Sequence, residues 1–296
     1  MRRPSMYTVE NAIIMAAGTS SRFAPLSHEK SKALVEVKGE ILIERQIRQL
    51  KEAGIHNIYV ITGYKSEQLQ YLEDKFNIKL IHNPDYLTRN NTASIWAARH
   101  ILNNSYVCSA DNYFTSNPFE KTVEDSYYAA VFSENETFEW CLKTDENDII
   151  TNVTIGGSNA WYMLGHTFWS ETFTRNFIKI LEAEYDTPET KNLLWEAIYA
   201  NHLDLLKMKI KRYAKHFIFE FDTLDELRCF DETYLEDTRS AILKNIARKL
   251  ECSEKEITSI NAYKGNNHAA TGFTFQLRNQ TYAYDYHTDK ITIKES

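Results

Sequence analysis

The sequence predicts an α/β protein with a mixed, mostly parallel sheet and a small C-terminal α+β appendage. Residues 11–114 alternate short apolar runs with amphipathic helices, and residues 127–221 read mainly as strands. Residues 237–296 combine one helix with a series of strands. Repeated β–α–β units give parallel strands with helices on both faces. We therefore expect a main domain at 11–235 and a small accessory domain at 236–296.

The elements of the parallel part follow from apolar runs and helix signals. Strands are expected at 12–17, 57–62, 79–81 and 105–110. Helices are expected at 41–53, ended by Gly54, and at 92–102. Between them, Ser66 could cap a helix that carries Leu69, Leu72 and Phe76 on one face. Ligands bind beyond the carboxyl ends of parallel strands. Residues 16–22, 63–64 and 111–112 should therefore converge on one crevice.

From about residue 127 the regular alternation of strands and helices ends. Strands are expected at 128–133, 140–144, 149–155, 161–168, 207–213 and 217–221, and helices at 171–184, 189–202 and 223–230. The C-terminal segment should form a helix at 237–250 and strands at 257–263, 271–277, 281–286 and 290–293, with a tight turn at 279–280.

Composition narrows the function classes. The net charge of −7 argues against nucleic acid and anionic membranes as partners. No apolar run is long enough to span a bilayer, and the first ten residues lack the apolar core of a signal peptide. The four cysteines are far apart and show no metal-ligand spacing, which predicts reduced thiols and a cytoplasmic protein.

The most informative stretch runs from Asn11 to Val35. A buried strand leads into Ala16, Ala17 and Gly18, whose small size lets a flat ring or a phosphate lie against the backbone. Loop N–H groups can cradle a polyphosphate, and Arg22 and Lys32 can neutralise it. The small-residue loop alone, or the two basic residues alone, could be an ordinary turn with solvated side chains. Their combination favours a nucleotide site.

Two carboxylates are candidates for a metal. Asp111 follows the strand at 105–110, and Asp222 ends the strand at 217–221. Mg²⁺ prefers carboxylates shared with substrate phosphates, so these residues could hold it against a triphosphate. A turn or helix-cap role is the alternative for Asp111 alone. We expect Lys32, Arg22 and Asp111 to be catalytic.

The stretch from Asn11 to Val35 resembles the signature of the sugar-nucleotidyltransferase superfamily. In that signature Ala-Ala-Gly, three residues, Arg and a downstream Pro-Lys-Ala-Leu hold a nucleoside triphosphate. Here Ser31 occupies the proline position, and Ser20 occupies a position that is often glycine. Arg22 and Lys32 are retained.

A longer series of motifs resembles the bacterial CTP:phosphocholine cytidylyltransferases. The runs are AAGTSSRFAPLSHEKSKALV, ERQIRQLKEAGI, VITGYKSEQ, NPDYLTRNNTASI, SADNYF, FEW and FEFDTLDEL, in that order through about residue 232. The resemblance implies a Rossmann-like nucleotidyltransferase fold and a Mg²⁺-dependent reaction that converts CTP and phosphocholine to CDP-choline and pyrophosphate. It also implies that Asp111 and Asp222 ligate the metal, that Lys32 contacts phosphate, and that Asn91 and Ser94 lie near the nucleotide.

A trimethylammonium acceptor needs aromatic faces and a balancing carboxylate. Glu139-Trp140 and Trp195-Glu196 are aromatic–acid pairs in regions that match the acceptor side of the family. Further candidates are Tyr113, Trp161 and Tyr162. Core packing is the alternative for each single aromatic residue.

The C-terminal segment resembles the opening of bacterial choline kinases. Residues 264–268, Lys-Gly-Asn-Asn-His, stand where those kinases have a nucleotide loop. No catalytic-loop aspartate follows, so we expect an accessory element packed on the main domain or on a dimer partner.

The sequence is compatible with three functions. The first is cytidylyl transfer to phosphocholine, with CTP and the acceptor as the partners and a homodimer left open. The second keeps the reaction but uses another amino-phosphate or phosphonate, such as phosphoethanolamine or 2-aminoethylphosphonate. The third is a non-catalytic nucleotide-binding protein, against which the joint retention of Arg22, Lys32, Asp111 and Asp222 argues.

Overall fold

A computed structural model describes residues 6–264 and 270–294. The strands are β1 (Tyr7–Thr8), β2 (Asn11–Ala16), β3 (Glu36–Val37), β4 (Glu40–Ile41), β5 (Ile58–Thr62), β6 (Lys79–His82), β7 (Ser105–Ser109), β8 (Asn112–Phe114), β9 (Thr122–Val123), β10 (Tyr127–Ser133), β11 (Thr137–Thr144), β12 (Ile150–Gly157), β13 (Ala160–Trp169), β14 (Lys209–Arg212), β15 (Ile218–Glu220), β16 (Thr258–Lys264), β17 (Ala270–Leu277), β18 (Gln280–Asp285) and β19 (Lys290–Ile293). The helices are α1 (Leu26–Glu29), α2 (Leu42–Glu52), α3 (Tyr71–Phe76), α4 (Thr92–Ala98), α5 (Glu171–Glu184), α6 (Trp195–Asn201), α7 (Leu224–Phe230), α8 (Thr233–Glu236) and α9 (Ala241–Lys249).

The chain divides into two compact units. The first unit contains residues 1–18 and 43–220, and the second contains residues 19–42 and 221–296. The division into domains at 11–235 and 236–296 was made along the sequence, and it stays a prediction. The units of the structure differ from them, because 19–42 and 221–235 group with the C-terminal segment.

The first unit is built on a mixed sheet. Its strands run in the order β12-β11-β13-β7-β2-β5-β6, and β10 pairs with β13 and β14. β7, β2, β5 and β6 are parallel, and β13 joins β7 antiparallel. β2 is buried along almost its whole length, as expected for a parallel strand covered on both faces. The predicted α/β class with a mixed sheet is confirmed.

Helices cover this sheet with spaced apolar residues. α5 begins after Ser170, whose Oγ accepts a hydrogen bond from the Phe173 N–H at 3.3 Å. Phe173, Phe177 and Leu181 follow at four-residue spacing, and all three are buried in the core of the unit. The predicted bounds 171–184 match the observed helix.

The second unit combines short helices with an antiparallel sheet in the order β16-β17-β18-β19. Thr223 and Glu226 form a reciprocal capping box at the start of α7. The turn between β17 and β18 is Arg278-Asn279, both with positive φ (49° and 64°). The turn therefore lies one residue before the predicted position, and its two left-handed residues are typical of a tight hairpin.

Three predicted helices differ from the structure. The one at 189–202 is interrupted by extended backbone at Leu193 and Leu194, and α6 starts only at Trp195. The one at 237–250 starts at Ala241, because Ser240 supplies the cap to Leu243. The one at 92–102 ends as a regular helix at Ala98.

The structure also bears on the predicted Ser66 cap and on the loop at 264–268. Ser66 does not cap a helix; it is the first residue of a short 3-10 turn, Ser66–Leu69, that precedes α3. The predicted loop 264–268 of the C-terminal segment lies outside the described residues apart from Lys264, the last residue of β16. Within 6–264 and 270–294, no helix combines the length and the apolar character needed to cross a bilayer.

Candidate active site

Three strand ends of the first unit form one edge. β7, β2 and β5 are parallel neighbours, with Met15 opposite Ser109 and Ala16 opposite Thr62. The Tyr64 N–H donates to the Ala17 carbonyl at 3.0 Å. The ends of these three strands therefore lie side by side in the first unit. The single crevice expected for residues 16–22, 63–64 and 111–112 stays a prediction.

Two glycines at this edge differ in their surroundings. A Cβ on Gly63 would lie 2.7 Å from the Tyr86 Cβ and 2.8 Å from the Ala17 carbonyl oxygen, so only glycine fits. A Cβ on Gly18 would have no atom of the described residues within 4 Å. Ala17 beside it is 4% exposed. Packing therefore demands Gly63, whereas Gly18 borders open space where a ligand can approach the backbone.

Asp111 lies just beyond β7. Its Oδ1 accepts a hydrogen bond from the Ser109 Oγ at 2.6 Å. The neighbouring Asn112 is buried, pairs with Glu220 across β8 and β15, and donates from Nδ2 to the Glu220 Oε2 at 3.1 Å. The sequence interpretation missed Glu220. Its signal was a third carboxylate two residues before Asp222 in FEFD.

The second unit brings together the two cations predicted for the triphosphate and one of the two carboxylates predicted for the metal. Arg22 Nη1 lies 2.8 Å from the Asp222 Oδ2, and Lys32 Nζ lies 3.6 Å from the Asp222 Oδ1. We call Arg22, Lys32 and Asp222 the ion triad. The Arg22 side chain is 70% exposed, so its ion pair is screened by water. The Lys32 side chain is only 7% exposed, and a buried charge needs a nearby partner.

The two departures from the family signature have backbone explanations. Ser20 has φ 47° and ψ 43°, a left-handed conformation that favours glycine. Ser31 has φ −55° and ψ 134°, angles that proline adopts, and Lys30 before it is extended. The loop therefore keeps the conformation for which glycine and proline are suited.

Tyr162 of β13 lies opposite Cys141 of β11, two residues after Glu139. Burial raises the pKa of the Tyr162 phenol, and the charges of Glu139 and Glu220 raise it further. Glu139 is exposed on β11, whereas Trp140 next to it packs against the core with Leu142. Alternation along the strand thus separates the predicted Glu139-Trp140 pair onto opposite faces.

Asn91, Tyr128 and Glu196 form a second polar group in the first unit. Asn91 Nδ2 and the Tyr128 hydroxyl donate to the Glu196 carboxylate at 3.1 and 3.2 Å. Burial raises the pKa of Glu196, although both hydrogen bonds oppose the shift. Asn91 Oδ1 also accepts from the Trp195 N–H at 2.7 Å, which fixes the start of α6. The predicted nucleotide residue Ser94 is buried and accepts from Asn83.

Comparisons with known proteins agree with this geometry. The model of the MobA-like NTP transferase domain matches residues 12–139. Choline-phosphate cytidylyltransferase of Streptococcus pneumoniae is 32% identical over 221 residues, which are 75% of this chain and 96% of that protein. The solved structure of the S. pneumoniae CTP:phosphocholine cytidylyltransferase (LicC) superposes with a TM-score of 0.73 at 32% identity, covering 77% of this chain and 99% of that one. The chain belongs to the choline-phosphate cytidylyltransferase family.

A relative with a different acceptor is equally similar. The 2-aminoethylphosphonate cytidylyltransferase of Lancefieldella rimae is 32% identical over 235 residues, 78% of this chain and 95% of that protein. Overall identity therefore shows that the chain is a nucleotidyltransferase of this cytidylyltransferase group. The acceptor must be argued from the site.

Three aromatic residues predicted for the acceptor pocket of this cytidylyltransferase are already covered by its own side chains. Trp195 is 1% exposed and packs against Tyr128 and Trp169, so it is a core residue. Tyr113 is buried with the Arg45 guanidinium 4.8 Å from its ring centre. Trp161 carries the Arg212 guanidinium at 5.4 Å. Sequence patterns cannot reveal such partners, because they come from distant segments.

The carboxylates of the cytidylyltransferase suit a metal that is shared with substrate. No group of three or more His, Cys, Asp or Glu side chains within 6–264 and 270–294 is arranged to hold a metal ion. Mg²⁺ usually takes one or two carboxylates plus phosphate oxygens and waters rather than an all-protein cage. Asp111 and Asp222 fit that donor set by their chemistry.

Proposed function

We propose that this protein condenses CTP with phosphocholine to give CDP-choline and pyrophosphate. The observation that carries the proposal is the convergence of Arg22 and Lys32 on Asp222, at 2.8 and 3.6 Å, on the family's signature loop. Two cations fixed around one carboxylate form a site that a triphosphate and its metal can share. A degenerate nucleotide-binding protein would have no reason to keep all three charges.

The residues divide into roles along the nucleotide. We assign the nucleotide surface to Ala16, Ala17 and Gly18, with Asn91 and Ser94 near the nucleoside. Arg22 contacts the outer phosphates, where its planar fork can bind two oxygens. Lys32 contacts the α-phosphate. Its burial favours catalysis, because a charge held in one place needs no reorganisation when the reaction occurs.

The chemical step is an in-line displacement at phosphorus. A phosphate oxygen of the acceptor attacks the α-phosphorus of CTP, and the bond from that phosphorus to the α–β bridging oxygen breaks. Pyrophosphate leaves with the electron pair. A phosphate monoester is already mostly ionised at neutral pH, so the nucleophile needs no general base. Lys32 and Arg22 stabilise the charge that develops on the phosphates.

We propose that Asp111 and Asp222 hold Mg²⁺ together with phosphate oxygens. The metal would withdraw charge from the phosphates and hold them in line with the attacking oxygen. Ser109, which donates to the Asp111 Oδ1, positions that carboxylate. This assignment follows the resemblance to the family and the donor chemistry of the two residues.

The acceptor is assigned from Tyr162, which lies opposite Cys141 of β11, two residues after Glu139. The charges of Glu139 on β11 and Glu220 on β15 both raise the pKa of the Tyr162 phenol. An aromatic ring in an acidic environment suits a trimethylammonium group, which binds through the ring face and unlike charge. Trp140, which is half-buried on the opposite face of β11, and Glu196 remain candidates. Tyr113, Trp161 and Trp195 are left out of the proposed pocket, because other side chains of the protein already contact their rings.

A primary-amine acceptor is the second candidate. Carboxylates can accept hydrogen bonds from an ammonium group, which a trimethylammonium group cannot donate. The equal similarity to a 2-aminoethylphosphonate enzyme favours keeping this alternative. The proposed partners are therefore small molecules. We also predict a cytoplasmic location and no nucleic-acid or membrane partner, and homodimer formation stays open.

Pyrophosphate release tests the proposal. The protein would be assayed with Mg²⁺ and CTP, then ATP, UTP or GTP, against phosphocholine, phosphoethanolamine and 2-aminoethylphosphonate. We expect CTP and phosphocholine to give the highest kcat/KM. Equal use of all four nucleotides would remove the cytidylyl assignment, and preference for a primary amine would replace phosphocholine by the second candidate.

Variants of β13 test the acceptor pocket. Tyr162→Leu should raise the KM for phosphocholine about five- to thirtyfold, which corresponds to a loss of about 1–2 kcal/mol, and leave the KM for CTP unchanged. Trp161→Leu is the matched control, because it removes the adjacent aromatic ring that already carries Arg212. Equal effects of the two variants on phosphocholine would exclude Tyr162 from the pocket.

A further inference from the structure

The loop that carries the phosphate-binding cations is built into the C-terminal part of the second unit. We call residues 19–42 the signature loop. It contains two 3-10 turns, Ser21–Phe23 and Lys32–Leu34, the four-residue α1, and the two-residue strands β3 and β4. Such short elements make few backbone hydrogen bonds of their own, so the loop depends on side-chain contacts for its shape.

The first of these contacts is a ring stack. His28 lies on Tyr286 with ring centres 3.7 Å apart and an interplanar angle of 5°. Tyr286 is anchored in turn, because its N–H donates to the Thr271 carbonyl and its ring contacts Phe273, a fully buried residue of β17. His28 stands between Arg22 and Lys32 in the sequence, so the stack ties the middle of the loop to the C-terminal sheet.

The second contact joins the loop to helix α9. Glu29 Oε1 accepts a hydrogen bond from the Ile242 N–H at 3.1 Å. Ser240 accepts from the next amide, Leu243 N–H, at 3.1 Å. The loop therefore supplies part of the cap of α9, and α9 fixes the carboxylate that lies three residues before Lys32.

Further contacts hold the end of the loop. The Lys38 N–H donates to the Asp231 Oδ2 at 2.7 Å, and the Tyr234 hydroxyl donates to the Glu36 carbonyl at 2.6 Å. Arg239 Nη2 lies 3.4 Å from the Glu36 Oε1. Together with the stack and the α9 cap, these contacts fix the loop on both sides of Lys32.

The pneumococcal relative is shorter than this chain. The 221 aligned residues are 75% of this chain and 96% of that relative, so about a quarter of this chain lies outside the alignment. In this chain the signature loop contacts a residue as far along the sequence as Tyr286.

We propose that the C-terminal segment positions the signature loop for the triphosphate, with Tyr286 and Glu29 as positioning residues that act through the loop carrying Arg22 and Lys32. This inference rests on the proposed binding of CTP at that loop. When a contact that holds the loop is lost, the binding-competent loop is populated for a smaller fraction of the time, and the apparent affinity falls by that fraction. Once CTP is bound, the reacting groups are unchanged, so kcat should be preserved.

The experiment compares three variants of the full chain with the natural protein. Tyr286→Ala removes the stack, Tyr286→Phe keeps the ring, and Glu29→Ala removes the acceptor for Ile242. Tyr282→Ala is the matched control, because Tyr282 stacks on Phe275 within the same sheet, with ring centres 5.3 Å apart. Amide hydrogen exchange of residues 19–42 is measured without ligand, and KM for CTP and kcat are measured with saturating phosphocholine and Mg²⁺.

We expect Tyr286→Ala and Glu29→Ala each to speed exchange in the signature loop and to raise the KM for CTP about three- to tenfold, with kcat within about twofold. Tyr286→Phe and Tyr282→Ala should leave both readings near the natural values. Unchanged loop exchange in Tyr286→Ala and Glu29→Ala, or the same change in Tyr282→Ala, would overturn the inference, as would a fall in kcat at constant KM. If loop exchange responds as expected but the natural protein turns over no CTP, the proposed function fails while the positioning of the loop stands.

Discussion

The edge of the first unit and the ion triad of the second unit differ in the groups that each offers to a ligand. At the edge, Ala16, Ala17 and Gly63 offer small side chains and backbone groups, and a Cβ on Gly63 would lie only 2.7 Å from the Tyr86 side chain. In the triad, Arg22, Lys32 and Asp222 offer charge on short irregular segments. Substitutions at the edge should therefore act through volume, and substitutions in the triad should act through charge.

Removing a proposed metal carboxylate should have the largest effect. Asp111→Asn and Asp222→Asn keep the side-chain volume but remove the charge that would hold Mg²⁺. Each should lower kcat on the order of 10²-fold or more, equivalent to several kcal/mol of transition-state stabilisation. Steady-state pyrophosphate release at saturating CTP measures the loss.

Asp237→Asn is the control for this prediction, because Asp237 pairs with Lys244 at 2.7 Å in the second unit. Its kcat should stay within about twofold of the natural value. A nearly normal rate in either variant would remove that residue from the proposed metal site, provided that thermal unfolding shows the fold is intact.

The two cations of the triad should differ. Lys32→Ala removes a charge that is 7% exposed and should lower kcat about 10- to 100-fold. Arg22→Lys keeps a charge that is 70% exposed and should mainly raise the KM for CTP, by less than about tenfold. Kinetics at saturating and limiting CTP separate these effects, with Lys30→Ala as an exposed lysine of the same loop for comparison. The reverse ranking in kcat would exchange the two roles.

The two glycines of the edge should separate stability from binding. Gly63→Ala places a methyl group against backbone and should lower the free energy of unfolding by about 1–3 kcal/mol. Gly18→Ala has room for its methyl group and should leave stability unchanged while weakening CTP binding. Denaturant unfolding and CTP titration of both variants measure this contrast. Full CTP affinity in a stable Gly18→Ala protein would show that the nucleotide does not approach this backbone.

The units should also respond differently to acid. In the first unit His166 is fully buried, and burial, followed by the charge of Lys211, lowers its pKa well below the ordinary 6.5. In the second unit burial acts to raise the pKa of Asp231, but hydrogen bonds from Thr233 and the Lys38 amide outweigh it, so the pKa lies below the ordinary 3.8. Both folded-state pKa values are depressed, so each residue's contribution to stability is complete above the unfolded-state value and is lost as pH falls.

The contribution of His166 to stability therefore begins to fall as the pH drops below about 6.5, and that of Asp231 as it drops below about 3.8. Amide exchange measured from pH 7 to pH 4 should show the core of the first unit around His166 weakening first. His166→Phe should flatten that pH dependence, since the ring can no longer bind a proton. Identical pH profiles for the natural protein and the variant would show that His166 does not control acid stability.

Much of the fold was determined by the sequence alone, and the sequence also predicts a nucleotide loop. Apolar runs and helical spacing predicted β2, α5 and the mixed sheet, because periodicity follows directly from whether one face or both faces of an element are buried. The order of Ala-Ala-Gly, Arg22 and Lys32 along the chain indicated the nucleotide loop. These features depend on residues that are close in sequence.

Tertiary structure decided the features that depend on distant partners. The start of α6 is set by Asn91, more than a hundred residues earlier, so the helix predicted at 189–202 is divided. Trp195 and Tyr113 are covered by Tyr128 and Arg45, so neither is an open aromatic wall. The signature loop joins the C-terminal segment through His28 and Tyr286. The physical reason is common to all three, because a side chain's partner depends on how elements pack, and local spacing does not encode which distant residue will occupy its face.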